Sequence, residues 1–410
     1  MNSLDEEERP LRVLMVHNHY LVRGGEDESF AAETELLRGG GHEVETYVRD
    51  NEEIAERGCF RTAVDTIWSR RSQREVEAHL AKGNFDVMHV QNSFPLISPS
   101  VYEAGRAAGV AVVQTLRNYR PLCASGLLMR AGEICEKCLG HGVGWAGVRH
   151  RCYRGSLPGS AVLVAMNAWH HLRATYLREV DRFIVASELV RRKFVEGGFP
   201  EERICLKPNV VPRLPEGEGE GGGRKRRAIY VGRLSADKGV ELMVDAWIRH
   251  GLEIPLEIVG SGPLEATLRE KARATPAITF SGRLPVEEAC QAIGRAELLL
   301  LPTQWYETFG RTVLEAYAMG TAVISSRGTA PGDLVREGET GFLVDRGDAG
   351  DLAARVREFF DLPVDERRGM GERAREVYRD HYSREKNLKQ ITGIYRDVVA
   401  EVRSRIAKQP

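Results

Sequence analysis

The strongest constraint on this chain is a recurring pattern. Short apolar runs stop at glycine or a polar residue, and longer helix-forming stretches follow. LRVLMVHNHY (11–20), FDVMHVQN (85–92), VAVVQTL (110–116) and DRFIVAS (181–187) lie in the first half. RAIYVGR (227–233), LEIVG (256–260), AITFSG (277–282), ELLLLPT (297–303), AVISS (322–326) and GFLVD (341–345) lie in the second. Runs apolar at successive positions suit strands buried on both faces, which occur in parallel sheets covered by helices on each side. Met twice, the alternation predicts an α/β fold of two doubly wound domains. Ligands in such sheets bind at the carboxyl ends of the strands.

The texture changes near Leu214. PEGEGEGGGRKRR (215–227) is rich in glycine and charge and has nothing to bury, so it reads as a loop or linker. The expected division is a first domain over 1–213, a linker over 214–227, a second domain over 228–385 and a terminal helix over 386–410. A net charge of −1 gives no general argument for nucleic acid, and basic runs such as 224–227 read as solvated surface. No segment reaches the roughly 20 apolar residues of a membrane span. The acidic start MNSLDEEERP argues against a secretory signal, and seven cysteines, an odd number, fit a reducing compartment. The expected location is the cytoplasm.

The chemistry-bearing residues gather at the ends of the second-domain runs. In PTQWYETFGRTVLEAYAMG (302–320), a buried strand feeds a loop and then a helix expected from Thr308 to Gly320. Backbone N–H groups of Thr308, Phe309, Gly310 and Arg311 near a helix start would make an anion site. Glu307 stands just before it, and Glu315 lies within its turns; a solvated glutamate pair on a surface helix is the plain alternative. In GRLSADKGV (232–240), Arg233 and Lys238 put two cations at a strand's carboxyl end, suited to a diphosphate. VGSGP (259–263) and FSGRLP (280–285) each end a strand in a glycine turn, and a tight turn alone explains either. In the first domain GGED (24–27) opens a helix and is compatible with phosphate, but it lacks the spacing of a dinucleotide fingerprint.

Taken in order, GGED, GRLSADKGV, VGSGP, FSGRLP and ETFGRTVLE, with its two glutamates eight apart, resemble the retaining family 4 (group 1) glycosyltransferases over nearly the whole chain. The resemblance implies a GT-B fold: two Rossmann-like domains facing across a cleft, with a C-terminal helix returning to the first. It implies a hexosyltransferase that takes a sugar from a UDP-, GDP- or ADP-sugar to a glycan or lipid-linked acceptor. Anomeric configuration would be retained, no catalytic metal would be required, and the setting would be cell-surface polysaccharide or glycoconjugate synthesis. By the same resemblance Arg233 and Lys238 would hold the donor diphosphate, and Glu315 would bind the ribose hydroxyls. Glu307 would contact the sugar, with Thr308, Phe309, Gly310 and Arg311 beside it. The base would lie near Gly282 and Arg283, and Gly25 would face the phosphates from the first domain. Catalysis would rest on positioning and on stabilising charge at the leaving phosphates, a task for Glu307, Arg233 and Lys238. A non-catalytic nucleotide-sugar-binding homologue and a nucleotide-sugar epimerase of the same architecture are the alternatives. One departure concerns the acceptor or sugar region: relatives carry a histidine in a T-L-H-N-Y context, where QTLRNYR here has Arg117. His89 and His19, also at strand ends, are the other polar groups there.

The segment 118–155 reads as an insert carrying Cys123, Cys135, Cys138 and Cys152. Four thiolates, two of them in a Cys-x-x-Cys knuckle, suit a structural zinc; free or redox-active thiols are the alternative, and His141 or His150 could replace one ligand. The apolar run SAVLVAMNAWHHL (160–172) reads as a core helix. Because relatives of this family often use lipid-linked acceptors, a peripheral contact of that helix with the inner membrane face is a further expectation.

Overall fold

The computed structural model describes residues 9–22, 24–140, 143–211 and 223–408. It divides into two compact units: Met1–Leu128 with Cys135–Pro212 and Arg384–Pro410, and Met129–Ile134 with Arg213–Ser383.

The first unit's strands begin with β1 (Arg12–His19), β2 (Glu43–Asp50), β3 (Val87–Asn92) and β4 (Ala111–Thr115). A short antiparallel hairpin follows, β5 (Met129–Arg130) and β6 (Glu133–Ile134), and it groups with the second unit. Then come β7 (Arg182–Val185) and β8 (Ile204–Leu206). The sheet order is β2-β1-β3-β4-β7-β8, every pair parallel. β3 and β4 are buried at every position, their polar His89, Gln91, Asn92, Gln114 and Thr115 included, while β2 at the edge exposes Glu43 and Glu45. The strand order reverses between β1 and β3, which marks that carboxyl edge as the ligand position of this unit.

The last helix, Arg384–Ala407, belongs to this unit. Ile391, Tyr395, Val398, Val399 and Val402 recur at helical spacing and join Leu11, Val13, Met15, Val87 and Val113 in one core. That stripe docks the end of the chain on the sheet where the chain began.

The second unit holds β9 (Lys225–Val231), β10 (Leu256–Val259), β11 (Ile278–Gly282), β12 (Ala296–Leu301), β13 (Ala322–Ser326) and β14 (Gly341–Val344). The order is β11-β10-β9-β12-β13-β14, again all parallel, with its reversal between β9 and β12. β9 starts at Lys225, inside the stretch expected as a linker; residues 214–222 of that stretch lie outside the described residues. Arg227 pairs with Glu257 at 2.7 Å, and Arg226, exposed like Lys225, lies 5.3 Å from the Phe360 ring centroid. Among the described residues no helix is long and apolar enough to cross a membrane.

Candidate functional site

In the second unit, the loops after β9 and β12 meet at the reversal of strand order. Gln304 N–H and Thr303 Oγ1 donate to the Asp237 carbonyl at 2.9 and 3.2 Å, fastening one loop to the other. Gly239 sits at φ +70°, and a Cβ there would lie 1.9 Å from the Pro302 carbonyl oxygen, so only glycine allows this approach. The result places Lys238 against Glu307: Nζ donates to Oε1 at 2.5 Å and lies 5.6 Å from the Trp305 ring centroid. The two side chains are 18% and 13% exposed. Glu307 Oε2 is buried and has no hydrogen-bond partner among the described residues. A half-satisfied carboxylate at a carboxyl sheet edge is an acceptor suited to hydroxyl donors.

Arg233 stands at the same edge. Its Nε bonds Ser235 Oγ at 3.1 Å, it pairs with Asp237 at 3.3 Å, and its side chain is 60% exposed. Gly232, Gly260 and Gly282 end three neighbouring strands, and their backbones are stitched together: Gly232 N to Val259 O at 3.0 Å and Gly260 N to Gly282 O at 2.8 Å. A Cβ on Gly260 would fall 1.9 Å from the Gly232 carbonyl oxygen, so the VGSGP glycine serves this close packing. Around Gly282, at φ +70°, an added Cβ meets nothing within 4 Å, and Arg283 follows it.

The helix after β12 is Arg311–Ala318, capped by Gly310 at φ +95°. It therefore starts later than the sequence expects, and Thr308 and Phe309 lie in the turn before it. The reason is tertiary: Gly310 takes a left-handed conformation, and a Cβ there would lie 2.6 Å from the Pro331 ring. Glu315 is buried on this helix, with Arg311 Nε 2.8 Å from its Oε1 in an ion-pair contact without hydrogen-bond alignment.

In the first unit, GGED opens the helix Gly25–Gly39, with Gly24 as its cap. Gly24 N–H donates to Asp27 Oδ2 at 3.1 Å, while His17 Nε2 and His19 Nδ1 reach Asp27 Oδ1 at 3.0 and 2.7 Å. Burial works against ionising Asp27, yet the hydrogen bonds from His17, His19 and Gly24 hold its carboxyl well below the usual range. Burial lowers the pKa of His17, which stacks on Phe30 with centroids 4.4 Å apart. Glu26, Asp27 and Glu28 stand in the first turn of this helix, which Gly25 opens, and meet its dipole. His17, His19 and Asp27 are also the one group among the described residues with three metal-ligating atoms mutually within 4.8 Å.

Behind that edge lies a buried polar network. Lys207 Nζ donates to Glu33 Oε2 at 2.6 Å and Gln91 Nε2 to Glu33 Oε1 at 2.5 Å. Arg117 donates from Nε to Gln91 Oε1 at 2.7 Å and from Nη1 to Asn209 Oδ1 at 2.8 Å. His89 has no exposed surface; it bridges Tyr395 Oη at 2.6 Å and Thr115 Oγ1 at 2.7 Å. Burial lowers its pKa to about 3, so it is neutral. The structure places His89 inside the core against Tyr395 of the terminal helix, while His19 is partly exposed and Arg117 is 9% exposed. Sequence reading missed Asp27, His17, Glu33, Gln91 and Lys207. The alternating histidines of HNH, which share a strand face, could have pointed to Asp27; nothing in the sequence joins Glu33 to Lys207.

The four cysteines of the insert all lie in the first unit and are free thiols. Gly147 is their hub: Cys152 N–H donates to its carbonyl at 3.0 Å, and its own Cβ position lies 3.0 Å from Ala124, next to Cys123. Cys138 Sγ lies 3.6 Å from the carbonyl oxygen of Gly144. Burial, followed by the neighbouring Cys123, Cys152 and Cys135, pushes the Cys138 thiol up to about 11. His141 lies outside the described residues.

Comparison with known proteins finds two family matches: "Glycosyl transferase 4-like domain" over residues 24–210 and "Glycosyl transferases group 1" over residues 219–377. The chain is 32% identical over 148 residues to the sulfoquinovosyl transferase SQD2 of Arabidopsis thaliana, covering 35% of this chain and 28% of that protein. It is 31% identical over 204 residues to the glycogen synthase of Mycobacterium tuberculosis, covering 48% of this chain and 49% of that one. The chain thus spans less than half of the length of either relative. The crystal structure of Anabaena Alr3699/HepE in complex with UDP and glucose superposes with a TM-score of 0.62 at 14% identity, over 93% of this chain and 98% of that one, a likeness of fold.

Proposed function

We propose that this chain, which joins a glycosyl transferase 4-like domain to a glycosyl transferases group 1 domain on the GT-B α/β fold, is a retaining glycosyltransferase. Its second unit takes a nucleotide-sugar and its first unit takes a glycan or lipid-linked acceptor of cell-surface polysaccharide synthesis. The observation that carries the reading is the Lys238–Glu307 pair at the reversal of strand order, with Glu307 Oε2 bare. In this reading Arg233 and Lys238 neutralise the donor diphosphate as it leaves. Glu307 accepts hydrogen bonds from the sugar, Glu315 from the ribose, and the turn Thr308–Gly310 lets the phosphates approach the backbone, with Arg311 at the helix start. Gly282 and Arg283 border the base. The similarity to Anabaena HepE, solved with UDP and glucose, supports a nucleotide-sugar donor. The thermal shift of the purified chain with UDP, GDP and ADP tests this: one nucleotide should raise the melting temperature, and Arg233→Ala should abolish the rise. No shift with any of them would remove the donor assignment.

Two finer assignments belong to the same reading. The insert cysteines Cys123, Cys135, Cys138 and Cys152 hold a structural zinc; a bound cation would offset the burial that keeps Cys138 protonated and favour its thiolate. The helix Leu157–Leu172 exposes Leu157, Trp169 and Leu172, and we assign it a peripheral membrane contact at the cytoplasmic face. Co-sedimentation with anionic vesicles tests that contact, and a chain that stays in the supernatant would remove it.

A further inference from the structure

At the carboxyl ends of β3 and β4 the first unit encloses a cavity of about 40 Å³, lined by Gln91–Phe94 and Gln114–Asn118 together with Arg120, Tyr176 and a few apolar residues. Its wall contains two guanidiniums and no carboxylate. Ser93, Asn118, Arg120 and Tyr176 are each partly exposed, so the cavity opens to solvent.

Hydrogen bonding leaves donors in excess. Arg117 spends its recorded bonds on neutral amide oxygens, those of Gln91 and Asn209, and its charge is not matched by them. The Arg120 guanidinium lies 4.0 Å from the Phe94 ring centroid, and its Nε is buried without a partner among the described residues. The surrounding carboxylates are already engaged. Glu33 pairs with Lys207 at 2.6 Å. Glu26 accepts from Asn118 at 3.0 Å and from Tyr20 at 3.3 Å. Arg117 and Arg120 thus bring two guanidiniums to a small polar cavity whose lining holds no carboxylate, at the carboxyl edge of the sheet.

We propose that this cavity is an anion subsite that recognises a phosphate or carboxylate group on the acceptor, with Arg120 as the main contact and Arg117 as the supporting charge. The proposal rests on the reading that the first unit takes the acceptor. A planar guanidinium matches either oxyanion, and the cavity has room for one such group rather than for a sugar ring. Arg117 then has a physical meaning: bound to Gln91 and Asn209, it serves as a fixed positive charge that a neutral imidazole would not supply.

The test uses the full chain carrying Arg233→Ala and Lys238→Ala, so that the second unit cannot supply the anion site. Glucose 1-phosphate and glucuronate are titrated against it by calorimetry, with glucose as the neutral control. At least one anion should bind while glucose does not. Adding Arg120→Gln should weaken that binding about tenfold or more, the scale of a lost charge-assisted contact. Response to one anion alone names the group. Tyr176→Phe, which removes only a hydroxyl, should weaken binding by a few-fold and serves if Arg120→Gln fails to fold. Anions that bind no better than glucose, or that bind Arg120→Gln and Tyr176→Phe unchanged, overturn the subsite. A wild-type chain that binds no nucleotide would remove the proposed function and leave this result untouched.

Discussion

Replacing Lys207 with methionine should destabilise the first unit by an amount that pH controls. Lys207 and Glu33 are 1% and 3% exposed and 2.6 Å apart. Removing the ammonium leaves the Glu33 carboxylate buried with Gln91 as its remaining donor, and orphaned buried charges of this kind cost about 3–5 kcal/mol. The same contact can be weighed through protonation. Burial alone would raise the Glu33 pKa, but the charges of Lys207 and Arg117 overcome burial and hold it at about 2 against an ordinary 4.5. Burial holds the Lys207 pKa below its ordinary value, while the Glu33 carboxylate opposes that shift. A depressed carboxylate adds stability above its unfolded pKa and loses it as pH falls towards the folded one; here that stability is on the order of 3 kcal/mol, lost between about pH 4.5 and 2. In Lys207→Met burial raises the carboxyl's pKa and it can protonate instead, so the variant's deficit should be largest at neutral pH, begin to shrink before pH 4.5 is reached, and shrink further below it as the wild type loses its own contribution. Urea unfolding at a series of pH values, read by amide hydrogen exchange in β1 and β3, measures this in the unit concerned. Lys207→Met/Glu33→Leu should regain most of the loss, because an apolar pair replaces a buried ion pair at little cost. A Lys207→Met deficit below about 1 kcal/mol at pH 7, or one that does not change with pH, would refute the reasoning.

Three further outcomes follow from other contacts. Gly239→Ala forces a Cβ to 1.9 Å from the Pro302 carbonyl at φ +70°, so it should cost about 3 kcal/mol or more and abolish the nucleotide-induced thermal shift. Cys138→Ser should reduce zinc content, measured by elemental analysis of the purified chain, from about one equivalent to near zero. Lys238→Ala strips Glu307 of its cation and should lower kcat for donor consumption by about a hundredfold, with a smaller effect on nucleotide affinity.

Local signals made the fold legible. LLLLPT announced β12, and the small-residue runs VAVVQT and AVISS announced β4 and β13, because a parallel strand buried on both faces leaves no polar alternation to confuse. Boundaries were less visible. β9 begins within a cationic stretch whose side chains find Glu257 and Phe360 only once the sheet is assembled. The helix after β12 begins at Arg311 because Pro331, twenty-one residues from Gly310, fixes the conformation of that glycine. The candidate donor residues were readable as cations and carboxylates at strand ends. Their pairing was not: Lys238 and Glu307 are 69 residues apart, and Glu33 and Lys207 are 174 apart. His89 looks in sequence like any polar group near a strand end, and only its burial beneath Tyr395 shows its place in the core.

The most direct measurement is release of nucleoside diphosphate from UDP-, GDP- and ADP-glucose by the wild-type chain and by Lys238→Ala, with water and simple alkyl glucosides as acceptors. The account predicts release from one of the three, accelerated by an acceptor and lost in the variant. Equal release by both chains, or none from any donor, would contradict it.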